Sequence, residues 1–313
     1  MHLGGLSMKR VFNVPFFIAH VLAVILVRFV FLPGEREVSD NIPFLAAIVL
    51  IEALYMIQLI FRGAVQRKKN SISEIMIMVY GILLCWELGT TQYNRLNVLL
   101  FPSPENVFLV FKDNYKEMAI NALYSLELLA VGFVGGIFLG TFVGILVGWV
   151  RKLREIFHPV FKVLAPIPPM IISPYVIVIM PTFRSASVIL VMFTVFLFVI
   201  LGTIETVTTI DRNILDSARA LNLNAFTMMK DILLPYVMPG VVSQLKINMI
   251  LGFMMLMFAE TLGAKYGLGH WVHVNHMYMN YTGLIAGFIE IGVLVVIINR
   301  VIGEIQKKAI RWK

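Results

Sequence analysis

Apolar and polar positions along this chain separate into long blocks, not into the short alternations of a water-soluble domain. Apolar runs cover roughly residues 11–32, 43–62, 74–90, 124–150, 159–181, 186–208, 240–262 and 283–303. Each is close to the ~20 apolar residues with which a helix crosses a hydrocarbon core. In lipid, backbone N–H and C=O groups must find partners within the segment, so these blocks predict helices. The expectation is an all-α integral membrane protein, a polytopic bundle of about eight transmembrane helices. The first run follows Lys9 and Arg10, as a secretion signal would. It is longer than a signal's apolar core and ends in Phe31-Leu-Pro-Gly-Glu35 without a small-residue cleavage site, so it is read as a retained span.

Between the sixth and seventh runs lies a polar island, residues 211–240, with helix signals of its own. Asp211 or Asn213 caps a short helix whose apolar side is Ile214, Leu215, Ala218 and Leu221, with Arg212, Asp216 and Arg219 toward water. Asn222 supplies a left-handed stop. Asn224 caps a second helix through Leu234, which Pro235 ends. Two short helices joined by a tight turn at the membrane face make a docking element.

Two spans carry unusual residues. Gly132, Gly136, Gly140, Gly144 and Gly148 recur every fourth position in the fourth run, which places them on one stripe where another backbone can approach. That neighbour belongs either to this chain or to a second one. In the fifth run, Pro166, Pro168, Pro169 and Pro174 remove helix hydrogen bonds. Backbone freed at membrane depth is tolerated inside protein or beside a watery cavity. The segment is therefore the candidate lining of a pathway, through Pro168, Pro169, Ser173 and Tyr175; the alternative is a kinked helix packed only on protein.

Composition agrees with the blocks: 59% of the 313 residues are hydrophobic and 14% charged, with mean hydropathy +0.86. The net charge of +8 does not point to nucleic acid, because the basic residues gather at the ends of apolar runs. Basic connectors (Lys9/Arg10, Arg62–Lys69, Arg151–Arg154, Arg212–Lys230, Lys307–Lys313) alternate with connectors poor in Lys and Arg. The positive-inside rule then puts both termini and the 211–240 loop in the cytoplasm of a multi-pass inner-membrane protein. Residues 35–40, 91–120, 181–187 and 263–282 fall outside. The organisation reads as extra N-terminal membrane helices (1–100), an external segment with an amphipathic helix at about 105–120 (101–123), and a core (124–313) containing the 211–240 loop. The single Cys85 sits in an apolar run and reads as a buried small side chain.

Glu260 stands near the outer end of the seventh run, where a carboxylate needs a partner or water. It either orders an outer gate or reaches to the interface. Glu52, Glu127 and Glu290 are further acids within spans. His270, His273 and His276 lack the accompanying carboxylate or thiol of a metal site, and Trp271 and Tyr278 nearby fit an interfacial aromatic belt. No phosphate-binding loop or nucleophile–base arrangement stands in a polar context, so no catalytic residue is assigned.

The 211–240 island resembles the cytoplasmic loop of permease subunits of ATP-binding-cassette (ABC) importers, which reads E-A-A, three residues, G, nine residues, I-x-L-P. Asp216-Ser217-Ala218, Arg219-Ala220-Leu221, Asn222-Leu223, Ile232 and Leu234-Pro235 fall on that spacing, with Asp for Glu, Ser for Ala and Asn for Gly. Pro102-Ser103-Pro104, Ile167-Pro168-Pro169, Glu260 with Gly263, Gly267-Leu268-Gly269 and Arg311-Trp312 are similar to the nitrate, taurine and aliphatic-sulfonate subgroup. The resemblance implies a type I importer permease core that moves a small anion. It pairs with a second permease copy, two cytoplasmic ATPase subunits and an extracytoplasmic solute-binding protein, amid membrane lipid. This chain then binds no cofactor; ATP and magnesium belong to the ATPase. Asp216–Leu223 with Leu234 and Pro235 would couple to that ATPase. Other classes left open are a non-transporting membrane receptor or scaffold and a secondary carrier.

Overall fold

The computed structural model describes residues 14–62 and 66–309; Lys9, Arg10, Arg311 and Trp312 lie outside the described residues. The helices in order are α1 (Val14–Phe31), α2 (Ile42–Arg62), α3 (Gln66–Glu87), α4 (Pro104–Asp113), α5 (Tyr115–Trp149), α6 (Arg151–Leu164), α7 (Ser173–Ile179), α8 (Phe183–Thr208), α9 (Arg212–Ala220), α10 (Ala225–Thr227), α11 (Leu234–Thr261), α12 (Leu268–Met277) and α13 (Tyr281–Ala309). A π turn, Leu88–Gln92, extends α3, and another, Met228–Leu233, joins α10 to α11. Among the described residues, seven helices are long and apolar enough to cross a membrane. The third apolar run, 74–90, lies within a full-length candidate span, Ser71–Gln92. Two compact units divide the chain: residues up to Lys116 with Asn275–Phe288, and Glu117–Val274 with Ile289 onward.

In the first unit α1, α2 and α3 enclose a core of Ala19, Leu26, Val30, Phe44, Ile48 and Tyr80. Phe108 of α4 stacks on Phe44 at 5.3 Å between ring centroids. The in-span acid Glu52 is partnered: His20 Nε2 lies 2.9 Å from its Oε1, and the Tyr80 hydroxyl donates to its Oε2. Cys85 corrects the sequence reading, because its side chain is exposed on α3. An apolar surface in a membrane is solvated by lipid, so an apolar run does not tell which of its faces is covered.

The second unit is built around α8. Thr182 and Ser185 form a reciprocal capping box at its start, and twelve of its residues are buried, from Ala186 to Val207. The glycine stripe of α5 lies against it. A Cβ on Gly132, Gly136, Gly140, Gly144 or Gly148 would fall within 3 Å of Val191, Val195, Val199, Thr203 or Val207 respectively. Each step of four along α5 is matched by a step of four along α8, so the two helices run parallel and the stripe's partner is in this chain. Only missing side chains permit this approach.

That parallelism settles the fifth apolar run. Two parallel spanning helices require the intervening chain to return across the membrane, yet 159–181 is not one helix. α6 ends at Leu164, a short 3₁₀ turn covers Pro169–Ile171, and α7 holds only seven residues. Phe161 packs beside Ile200 and Ile204, and Val176 beside Leu190, which traces a path antiparallel to α8. The eighth crossing is therefore a broken one. Pro166, Pro168 and Pro169 withhold the N–H groups that would bond the carbonyls of Lys162, Leu164 and Ala165.

α11 runs antiparallel to α8, with Gly252 beside Val195 and Gly202 beside Gln244. α13 returns antiparallel to α11: Ile298 packs near Met249, and the Gln306 amide donates to the carbonyl of Val242 at 2.8 Å. The ends of α5, α8 and α13 and the 209–224 segment thus share one side of this unit.

Candidate functional site

The polar island forms a knuckle. Asp211 starts it: its Oδ1 accepts the N–H of Asn213 at 2.9 Å, so Asp211 and not Asn213 caps α9. Asn222 adopts φ +49°, the expected left-handed stop. The N–H of Leu223 reaches back to the carbonyl of Ala218 at 3.4 Å, closing a Schellman turn. Asn224 then caps α10, accepting from the N–H of Thr227 at 2.8 Å.

Ala218 anchors the knuckle. It is 2% exposed, in a cluster with Ile145 of α5, Val207 of α8, and Val237 and Val241 of α11; Leu215 and Leu223 pack on the same cluster. Leu221 departs from the expectation that it shares the apolar side, being 72% exposed at the tip. Its N–H still bonds the carbonyl of Ser217, but the chain is already turning out of helix there, and the side chain leaves the stripe. Asp216, Ser217 and Ala220 are exposed beside it; the side chain of Arg219 lies outside the described residues. Trp149, Leu215, Asn222, Leu223, Ala225 and Met228 line an open groove of about 480 Å³ alongside.

Pro235 does not end the second helix. It falls in the first turn of α11, where its missing N–H breaks no α bond, and the preceding π turn absorbs the misfit. The helical run from Ala225 to Thr261 is continuous, so the knuckle joins a span directly. Leu234 and Pro235 are exposed on that run.

The broken crossing holds the other predicted residues. Ser173 is buried and donates its hydroxyl to the carbonyl of Met170 at 2.7 Å, tying α7 to the 3₁₀ turn. Tyr175 is 72% exposed, Pro168 is exposed and Pro169 half-buried. Ser173 thus serves the backbone, while Tyr175 presents a free ring.

Glu260 is fully buried, which rules out its reaching to the interface. Its Oε1 accepts from the Ser125 hydroxyl at 2.7 Å and its Oε2 from the N–H of Gly269 at 2.8 Å. Ser125 Oγ in turn accepts the N–H of Leu268 at 2.8 Å, and Asn121 Oδ1 the N–H of Gly267 at 2.9 Å. Three successive N–H groups at the head of α12 are therefore held by side chains of α5 and α11. Gly267, at φ +126° and against the Glu260 carboxyl, leaves no room for a side chain. Sequence reasoning missed Asn121 and Ser125. Their spacing of four on an otherwise apolar helix, leading into the glycine stripe, is the signal that marks them.

Glu127 is paired with Arg184, and Glu290 Oε2 is buried without a protein partner. On α12, burial and the neighbouring His273 lower the pKa of His270, with Glu117 opposing. Among the described residues no three His, Cys, Asp or Glu side chains converge as a metal site.

Residues 136–310 match the family described as binding-protein-dependent transport system inner membrane component. The chain is 20% identical over 249 residues to a putative aliphatic sulfonates transport permease protein of Bacillus subtilis, covering 79% of this chain and 90% of that one. It is 23% identical over 256 residues to a nitrate import permease protein of Synechocystis, covering 77% and 93%. Among solved structures, a subunit of the MetNI methionine ABC transporter in an inward-facing conformation superposes with TM-score 0.51 at 20% identity, over 63% of this chain and 98% of that one. This last likeness is one of fold.

Proposed function

The chain belongs to the binding-protein-dependent transport system inner membrane component family, the permeases of ABC importers, and on that premise we propose that it moves a small anion, driven through the knuckle at Ala218–Leu223. Membership disfavours the receptor, scaffold and secondary-carrier readings. The observation that carries the proposal is the contrast between two neighbouring residues: Ala218 is locked among α5, α8 and α11, and Leu221 stands free at the tip. A push received at Leu221 is delivered to three spans at once, because a close-packed core transmits displacement instead of absorbing it.

The partner that pushes is a cytoplasmic ATPase subunit, two in the assembly, which binds the ATP and magnesium that this chain does not. Asp216, Ser217, Ala220, Leu221 and Asn222 would meet its surface, with Arg219, Leu223, Leu234 and Pro235 completing the loop. Both termini would then lie in the cytoplasm.

The broken crossing supports a second permease copy. Irregular backbone at membrane depth must be covered by protein or line water, and Ile171, Tyr175 and Val178 are 67%, 72% and 83% exposed in the single chain. A homodimer facing through this segment would cover part of it and leave the rest, with Pro168, Pro169 and Tyr175, beside the pathway. The Glu260 latch would set the head of α12 at the outer end, where a solute-binding protein delivers its cargo. Sulfonate and nitrate are the cargoes named for two relatives and define the anion class proposed.

The test is co-expression with the companion ATPase and binding-protein genes. Expected are a complex retained on purification, ATP-dependent uptake in proteoliposomes, and a thermal shift of the binding protein with a small sulfonate or oxyanion. A chain that purifies without any ATPase, or a binding protein that responds only to uncharged solutes, overturns the corresponding half of the reading.

A further inference from the structure

A long apolar groove in the second unit serves neither coupling nor passage as described above. It runs between α5 and the stretch from α10 into α11 and encloses about 540 Å³. Val134, Phe138 and Ile145 of α5 line one side, and Phe226, Lys230 and Met238 the other. Val134, Phe138, Phe226 and Met238 are exposed in the chain. The rings of Phe138 and Phe142 stack along the α5 side with centroids 6.5 Å apart.

Position limits what can lie in it. From Val134 to Ile145 the α5 side rises roughly 16 Å at ~1.5 Å per residue, about half of a ~30 Å hydrocarbon core. The groove is thus as long as one leaflet is deep. It begins at the membrane face, where Phe226 and Lys230 belong to the polar island, and extends along two spans. A water-soluble partner reaches only that first end. Along the rest, an acyl chain or an apolar helix of a second copy is the chemistry that fits.

Charge decides between these two. Lys230 is the one charged side chain among the described lining residues. It is exposed and makes no ion pair among the described residues. It stands in the π turn Met228–Leu233, a distortion common at functional sites. The end of α5 on the same side leads into Arg151, Lys152 and Arg154. A second copy of this chain would bring the same basic face against Lys230, whereas an acidic lipid headgroup brings the opposite charge. We infer that the groove binds one anionic glycerophospholipid, its acyl chain along α5 and its phosphate against the Lys230 ammonium. The lipid would bridge α5 and the helix into which the knuckle runs.

The experiment titrates the full chain in detergent with phosphatidylglycerol or zwitterionic phosphatidylcholine and reads bound lipid by native mass spectrometry. One phosphatidylglycerol should be retained, about fivefold more tightly than phosphatidylcholine, which is the ~1 kcal/mol of a single lysine at an acidic headgroup. Lys230→Gln should abolish that preference. Met238→Trp, which fills the groove from an exposed position, should abolish retention of both lipids while the lipid-free chain melts as before. Should Met238→Trp fail to fold, Lys230→Gln decides alone. Excess glycerol phosphate, an acidic headgroup without tails, should not compete. Equal retention of the two lipids by the parent chain, a preference that survives Lys230→Gln, or retention unchanged in a folded Met238→Trp overturns the inference. Competition by glycerol phosphate also overturns it, by making Lys230 a site for small anions. So does a lipid-free dimer that Met238→Trp dissociates, since the groove would then belong to a second copy.

Discussion

A Cβ built on Gly144 would lie 2.6 Å from the Cβ of Thr203, closer than two side chains can stand. The contact is one rung of a ladder that holds α5 and α8 parallel, and the parallel pair is what obliges residues 150–182 to recross the membrane.

Gly144→Val should therefore separate α5 from α8. Overpacking of this kind destabilises by about 1–3 kcal/mol, so the unfolding midpoint and the yield of folded protein should both fall. Gly292, where an added Cβ would meet nothing within 4 Å, is the control. Gly292→Ala should be neutral or stabilise by about 0.5–1 kcal/mol. Equal behaviour of the two variants in thermal melts would remove the stripe from the packing account.

Ser125→Ala deprives the N–H of Leu268 and one oxygen of Glu260 of their partners. Each buried polar group left open costs about 1–3 kcal/mol. Amide exchange at residues 267–270 should rise, measured by mass spectrometry, with smaller change in α8. Unchanged protection at the head of α12 would mean that the latch does not hold it.

Leu221→Asp places a charge on a side chain that is 72% exposed, so the isolated chain should melt as before. In the assembled transporter, losing a buried leucine contact of about 1.5–3 kcal/mol should weaken ATPase retention roughly tenfold or more. Transport should fall with it. Retained coupling in this variant would displace Leu221 from the docking surface.

Burial and His273 hold the pKa of His270 below its ordinary value. The unfolded chain then binds more protons than the folded one as pH falls below about 6.5. The part of the stability that depends on neutral His270 should decline through that window and level off once His270 is protonated in the fold as well. The midpoint of His270→Gln relative to the parent chain should therefore rise as pH falls from 7 to 5. A difference between the two midpoints that does not change with pH would remove His270 from the titration.

The knuckle shows how far local chemistry reaches. The left-handed Asn222 and the cap at Asn224 were legible because each depends on a few neighbouring backbone groups. Pro235 was misjudged for the converse reason: proline forbids an N–H bond, but whether that bond is needed depends on the register of the preceding turn, here a π turn. Leu221 and Cys85 were misplaced because periodicity marks a face without saying what covers it.

By itself the sequence determined the spans, the glycine stripe, the knuckle and the absence of an uninterrupted helix-forming pattern through the proline-rich segment, since each follows from interactions a few residues long. Tertiary structure alone decided that the stripe meets α8, that the broken segment still crosses, and that Asn121, Ser125 and Glu260 converge on the head of α12. Those pairings join residues far apart in the chain, and in lipid, where apolar faces are solvated equally well by neighbours and by acyl chains, shape and unsatisfied polar groups choose the partner.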